Sequence, residues 1–458
     1  MAQRNIVDEL SFLFKPRGVA LIGASGKPGK VGRMYMDRFL ESGFENLFPV
    51  NLEEEEILGV KTYSNLKEVP GEVDLAIILI PPRAVLEAVK DCVSRGVKGI
   101  IITSAGFGEG GEEGKTRELE LVRIARDGGC RIVGPNCLGI YCPASRLPFP
   151  QGPSMEAGNV GIVSQSGSLA DHLALIGTTQ GIRFSKAISV GNQSDLTVLD
   201  FIEYLGEDPE TEIILSYLEG VNEGRRFHDL TREISKKKPF IIWKCGASEA
   251  GARAAASHTG ALAGSRQIWD GVLKGNGVIS VGSFEDMLDC VTVFHHCPMP
   301  RGNRVAIITG PGGPAVGTTD ACIRMGLEVP HISEETRKRL SKIVPPVGTS
   351  VENPIDLSIA SNMVPELYGE VIRILGQDDQ VDMMLAIGSG GDVFYGSIIK
   401  ATEEVQKPVS VCVPMPLPVL QDAYRHLGRN GIPFYPDTVR AAKALAWLVE
   451  YSNYQNNI

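Results

Sequence analysis

The sequence predicts an α/β protein built as three doubly wound layers in succession. Short, wholly apolar runs alternate with helical patterns along most of the chain, as parallel strands buried on both faces and joined by crossover helices do. The length of 458 residues suits about three domains. Glycine- or serine-rich turns follow several of the apolar runs, at the strand ends where open α/β sheets gather their ligands.

Composition narrows the class. Hydrophobic residues make up 43% and charged residues 22% of the chain, ordinary values for a globular protein. The formal net charge of −10, with no basic stretch, argues against a nucleic-acid partner. No apolar run reaches the about 18 residues of a membrane span, and residues 1–15 lack the basic start and apolar core of a signal peptide, so a cytoplasmic protein is expected. The nine cysteines are scattered without a C-x-x-C pair, which suggests neither a disulfide framework nor a zinc site. Cys92, Cys245, Cys290, Cys322 and Cys412 fall in apolar stretches and read as small buried hydrophobes. No metal site is expected on this chain.

The first layer covers residues 1–145. Its strands read at 19–22, 47–50, 74–80, 99–103 and 131–133, with helices starting near Val31, Arg83, Glu112 and in the 120s. The first turn carries Gly23, Ser25, Gly26, Lys27, Gly29, Lys30 and Gly32, a glycine-rich loop opening a helix, which suits a nucleotide pyrophosphate lying on free amides. The loop is not G-x-G-x-x-G. The second strand ends in Asn51, where an NAD site wants a carboxylate for the ribose, so a nicotinamide dehydrogenase is disfavoured. Lys27, Lys30 and Arg33 suit a ligand richer in phosphate than NAD; a tight turn with surface lysines is the plain alternative. The four glutamates at 53–56 read as the solvated start of a helix. Pro81 and Pro82, then Ser104, Ala105 and Gly106, then the turn at 134–139 with Asn136, belong on the same carboxyl edge. Residues 141–158, rich in proline and small side chains, read as a linker.

The second layer covers residues 158–298. Its first strand runs into Ser164, Gln165, Ser166 and Gly167, where hydroxyls and free N–H groups meet the positive end of a helix dipole. This is an anion site or a simple N-cap. A strand at 184–190 leads to Gly191 and Asn192, and one at 212–218 delivers Glu219. A carboxylate so placed can accept an imidazole N–H and fix the tautomer, or be a solvated loop group. The candidate imidazole is His258. It lies in a run of small residues at 251–264, between an apolar strand at 239–244 and a helix expected over 259–274. That puts it just outside the carboxyl end of a strand; a turn histidine without chemistry is the alternative. The other six histidines sit in ordinary helical or surface contexts. The third layer, residues 302–458, has strands at 305–308, 382–387, 409–413 and 434–435. Its turns at 309–314 and 352–357 are as readily architectural as functional.

Taken together, the runs His258-Thr-Gly-Ala-Leu-Ala-Gly, Ser164-Gln-Ser-Gly and Gly134-Pro-Asn-Cys-Leu-Gly, in this order over almost the whole chain, resemble the alpha subunit of an ADP-forming (NDP-forming) acetate–CoA ligase, within the succinyl-CoA synthetase superfamily. The resemblance implies a Rossmann-like CoA-binding domain followed by two succinyl-CoA-ligase-like flavodoxin domains. It implies that His258 is phosphorylated, that Ser164 to Gly167 hold the phosphoryl group, that Glu219 orients the imidazole, and that Gly191, Asn192 and Asn136 meet the acyl group. CoA is then expected on the first-layer residues Gly23, Ser25, Gly26, Lys27, Gly29, Lys30, Gly32, Asn51, Pro81, Pro82, Ser104, Ala105 and Gly106. The implied reaction is acyl-CoA + ADP + phosphate ⇌ carboxylic acid + CoA + ATP, through an acyl phosphate and phosphohistidine. Because such enzymes bind ADP or ATP, with Mg²⁺, on an ATP-grasp domain, a separate ATP-grasp beta subunit and a heterotetramer are expected. Family members usually carry Asn-Pro-Lys where this chain has Asn51-Leu52-Glu53, and Thr-Asn where it has Thr309-Gly310. A catalytically silent CoA-binding regulatory protein of the same fold is the competing reading.

Overall fold

The computed structural model describes residues 5–246, 248, 250, 251, 253, 265–310 and 312–458. The chain divides into two compact units, one holding residues 1–178 and 183–282, the other residues 179–182 and 283–458.

The first unit contains two large sheets, one wholly parallel and one parallel except for a single edge strand. One is formed by β1 (Val19–Ile22), β2 (Leu47–Val50), β5 (Leu75–Ile78), β6 (Gly99–Ile102) and β7 (Arg131–Val133), in the order β2-β1-β5-β6-β7. β1, β5 and β6 are buried along their whole length, which is why they read as unbroken apolar runs rather than alternating ones. Helices Val31–Ser42, Pro82–Arg95 and Glu112–Asp127 make the crossovers. Two expectations are corrected here. A single helix spans Glu112–Asp127, with no second start in the 120s. Residues 53–56 begin no helix: Glu56–Ile57 (β3) pairs antiparallel with Val60–Lys61 (β4) in a small hairpin, because Ile57 is the side chain that gets buried there.

The second sheet has the order β13-β12-β11-β9-β10-β8, from β8 (Gly139–Tyr141), β9 (Ala157–Ser164), β10 (Phe184–Ser189), β11 (Ile213–Leu218), β12 (Phe240–Lys244) and β13 (Ile279–Val281). β8 directly follows the turn at 134–139 and pairs antiparallel with β10, so the chain enters this sheet before the proline-rich stretch. Asp195 ties the two sheets together. Its buried carboxylate accepts from Arg126 Nε at 2.7 Å, Arg131 Nε at 2.9 Å and the Ile132 N–H at 2.8 Å. That anchors the loop after β10 to β7. Beyond β12, helix Arg266–Gly275 is present; the earlier part of the expected helix lies outside the described residues.

In the second unit, β14 (Val305–Thr309), β15 (Ile355–Asp356), β16 (Met383–Ile387), β17 (Val409–Cys412) and β18 (Phe434–Tyr435) form a parallel sheet in the order β15-β14-β16-β17-β18. Helix Phe284–His296 packs on the long helix Thr438–Asn456. Arg440 grips Asp289 with two bonds of 2.7 and 2.8 Å, and Lys443 meets Asp286 at 2.7 Å. Among the described residues no helix is long and apolar enough to cross a membrane.

Candidate active site

Both sheets of the first unit reverse their winding direction beside their first parallel strand. In the first sheet β1 lies between β2 and β5, and in the second β9 lies between β10 and β11. The crevice outside the carboxyl ends at such a point is where doubly wound sheets take ligands. In the first sheet it is a cleft of about 640 Å³ whose lining includes Gly23, Lys30, Asn51, Glu53, Ile80 and Pro81. Gly23 has φ +92°, and a Cβ on Gly32 would lie 2.1 Å from the Gly23 carbonyl oxygen. Two glycines are therefore needed for the turn to fold back against the helix it starts. That helix, Val31–Ser42, has no side-chain cap and no acidic residue in its first turn, so its positive end is left for something else.

The glycine turn ahead of that helix already holds an anion. Glu54 reaches across from the loop after β2, and both its carboxylate oxygens accept the Gly26 N–H at 3.2 Å, with Ser25 Oγ 3.4 Å away. Asn51 holds that loop in place: its Oδ1 accepts the N–H groups of Glu53 at 2.7 Å and Glu54 at 3.1 Å, and its Nδ2 donates to the Ala24 carbonyl at 2.7 Å. Lys27 stands 3.6 Å from Glu53. A carboxylate held by a backbone amide uses the same hydrogen-bonding chemistry as a bound phosphate. Ser104 Oγ donates to the Ile80 carbonyl. A Cβ on Gly106 would come within 3.1 Å of Pro82 Cγ, so the loops after β5 and β6 touch.

The loops after β7 and β10 meet next. The Asn192 N–H donates to the Pro135 carbonyl at 2.9 Å, and Asn136 Nδ2 lies 3.4 Å from Asn192 Oδ1. Gly191 has φ +55°, and a Cβ there would fall 2.2 Å from the Pro135 oxygen. Asn192 Nδ2 donates to two carboxylates, Glu109 at 2.5 Å and Glu118 at 2.8 Å. Glu109 also accepts the N–H groups of Gly106 at 2.5 Å and Phe107 at 3.4 Å, and Glu118 accepts the Gly108 N–H at 2.9 Å. Burial pushes the Glu109 carboxyl upward, but the bonds from Asn192 and the Gly106 amide outweigh it and hold it below the usual range.

At the second sheet, parallel register puts Ser164 level with Tyr217 and with Ser189, and Leu218 level with Lys244. Ser164 Oγ accepts the Ser166 N–H at 3.1 Å. Gly167 opens helix Gly167–Thr179, which has no acid in its first turn. The side chain of Gln165, expected on the phosphate, is committed elsewhere. Its Oε1 accepts from the backbone of Glu219 and of Gly220, and its Nε2 donates to the Gly220 carbonyl at 2.8 Å. Glu219 is buried, with Tyr217 Oη 3.2 Å from its Oε1. Lys244 Nζ donates to the Glu219 carbonyl at 2.8 Å and sits 4.9 Å from the Trp269 ring centroid; burial lowers its pKa. His258 lies outside the described residues.

Sequence reading therefore found Ser164, Asn136, Asn192 and Glu219 on one edge and missed Glu54, Glu109, Glu118 and Lys244. For Lys244 a signal existed, since it ends the strand that pairs beside β11. A hollow of about 960 Å³, lined in part by Asp8, Thr211, Glu212, Lys237 and Lys238, opens at the amino ends of β11 and β12. That is the wrong end of the sheet for ligand chemistry.

Family models match three stretches: a CoA binding domain over residues 17–143, a succinyl-CoA ligase like flavodoxin domain over 157–294, and a ligase-CoA domain over 305–442. The acetate–CoA ligase [ADP-forming] II subunit alpha of Pyrococcus furiosus is 43% identical, over 94% of this chain and 96% of its own length. The chain belongs to the ADP-forming acetate–CoA ligase alpha-subunit family. Two further relatives fill out the picture. The acetate–CoA ligase [ADP-forming] I of Archaeoglobus fulgidus is 36% identical over 96% of this chain, which accounts for 63% of its length. A solved acetyl-coenzyme A synthetase 1 of Candidatus Korarchaeum cryptofilum, in complex with phosphate and ADP, matches with TM-score 0.87 at 33% identity, covering 98% of this chain and 97% of that one.

Proposed function

We propose that this chain is the CoA- and acyl-handling alpha subunit of an ADP-forming acyl-CoA (acetate–CoA) ligase, with domains at 1–145, 158–298 and 302–458. The supporting observation is the gathering of three loop sets within one unit: the Gly23–Pro81 cleft, the Asn136–Asn192 seam, and the Gln165–Glu219 contact at the second switch point. CoA binds along the first of these, on Gly23, Ser25, Gly26, Lys27, Gly29, Lys30, Gly32, Asn51, Pro81, Pro82, Ser104, Ala105 and Gly106. Its thioester carbonyl reaches Asn136, Gly191 and Asn192. Phosphate, held by Ser164, Ser166 and the Gly167 helix start, attacks the carbonyl carbon and the CoA thiolate leaves, giving an acyl phosphate. The phosphoryl group then passes to a ring nitrogen of His258, releasing the carboxylate. Glu219 holds the opposite N–H, while Gln165 serves by fixing the backbone that carries Glu219. Positioning and placed charge supply the rate in such transfers.

The phosphoryl group leaves this chain for ADP on an ATP-grasp beta subunit, which carries the Mg²⁺, in a heterotetramer. The Archaeoglobus relative supports a separate partner, because this chain accounts for 63% of its length. The test is incubation of the protein with acetyl-CoA and labelled phosphate. An acid-labile, base-stable phosphoprotein that His258→Ala removes is expected. CoA binding without any phosphoprotein would leave a silent CoA-binding protein instead.

A further inference from the structure

The carboxylate on the glycine turn belongs to the chain, and it occupies the position that the preceding reading assigns to a phosphate of CoA. Glu54 is half-buried and both its oxygens lie 3.2 Å from the Gly26 nitrogen. A Cβ on Gly26 would come 2.7 Å from Glu54 Oε2, so the glycine is needed for the carboxylate to sit this close. The loop bearing Glu54 is held by Asn51 through backbone N–H groups alone, which leaves the glutamate side chain able to swing while the loop stays put. A phosphate and a carboxylate cannot share one amide: both are anions, and like charges at contact repel strongly where water is partly excluded.

We propose that Glu54 is an internal competitor for CoA, filling the Gly26 amide in the ligand-free protein and withdrawing when a phosphate of the ligand takes its place. This rests on the reading of the first-sheet cleft as the CoA site. The consequence is selective. Only a ligand that places a phosphate on this turn must displace the carboxylate, so Glu54 weakens CoA and leaves phosphate-free fragments untouched. CoA offers two sources of the displacing group, the pyrophosphate and the 3′-phosphate.

Calorimetric titration of the full chain with CoA, dephospho-CoA and pantetheine, at one ionic strength, tests this. Glu54→Gln keeps the side-chain shape and removes the charge, and it should tighten CoA by about five- to ten-fold, the value of one charge-assisted bond at a half-exposed site. If the pyrophosphate displaces Glu54, dephospho-CoA gains as much; if the 3′-phosphate does, only CoA gains. Pantetheine, which has no phosphate, should gain nothing in either case. Glu55→Gln is the control, since Glu55 is exposed and makes no side-chain bond to the turn. An equal gain from Glu55→Gln would reduce the effect to general charge and overturn the proposal. So would an unchanged CoA affinity in Glu54→Gln. Wild-type protein that binds no CoA at all would instead defeat the reading of the cleft.

Discussion

Gln165 and Gly220 grip one another across the second switch point. The glutamine oxygen accepts the Gly220 N–H at 3.2 Å and its nitrogen donates to the Gly220 carbonyl at 2.8 Å. Both groups of one amide side chain are thus spent on one residue, and Glu219 is the residue just before it. A carboxylate that must aim at a partner gains its direction from this clamp rather than from its own contacts. Gln165→Leu leaves the Gly220 carbonyl and N–H buried without partners and frees the turn. Phosphoprotein formation should fall by about 10²-fold, the scale of a small misplacement of a reacting group, with CoA affinity unchanged. Rapid-quench labelling set against calorimetry reads both quantities; an equal fall in CoA affinity would show a general loss of structure.

Glu219→Gln tests the carboxylate itself. Its Oε1 faces the Tyr217 hydroxyl at 3.2 Å, a bond that an amide oxygen keeps, so folding should survive. By analogy with carboxylates that orient a catalytic histidine, phosphorylation should slow by up to about 10⁴-fold. Wild-type labelling rates in this variant would make Glu219 a plain loop residue.

Gly32→Ala should damage the first-sheet cleft. The added methyl would lie 2.1 Å from the Gly23 oxygen and 3.0 Å from the Ser25 nitrogen, and neither is a flexible side chain that can move aside. The turn must open, at a stability cost of about 1–3 kcal/mol for overpacking, and CoA binding should be lost with it. Gly29→Ala is the comparison, since nothing lies within 4 Å of a Cβ there, though its φ of +79° carries a backbone strain of its own. Loss of CoA binding in Gly29→Ala with retention in Gly32→Ala would contradict this account.

Asp171 predicts a pH effect of unusual sign. Its carboxyl is buried on helix Gly167–Thr179, one oxygen accepting the Gln151 N–H at 3.1 Å, and burial raises its pKa from 3.8 to about 6. The folded protein therefore holds this proton more tightly than the unfolded chain does. The resulting stabilisation is full below pH about 4, fades as pH climbs, and is gone above about 6. Expressed the other way, keeping Asp171 ionised at neutral pH costs about 3 kcal/mol at most. Asp171→Asn should raise the denaturation midpoint at pH 7.5 and lose that advantage at pH 4. An advantage that is the same at both values would rule out the carboxyl as its source.

Much of this was legible in the residue order. β1, β5 and β6 are apolar end to end because helices cover both faces, and a turn that must fold tightly on a helix start has to be built of glycine, as at Gly23 and Gly32. Residues 53–56 were misread because four adjacent glutamates give a charge run and no periodicity. What decides that stretch is the burial of Ile57 and the pairing of Glu56–Ile57 with Val60–Lys61.

The amino-acid order by itself determined which strands form, which turns end them, and that serine, asparagine and glutamate residues stand at those ends, because apolar runs, glycine spacing and helix starts are local properties. Which of these residues touch was decided only by tertiary structure. Gln165 meets Gly220 across 55 positions, Asn192 meets Glu109 across 83 and Glu118 across 74, and Glu54 reaches Gly26 across 28. Those contacts depend on strand order and register, which are set by how whole sheets bury their faces, and no short stretch of sequence carries that information.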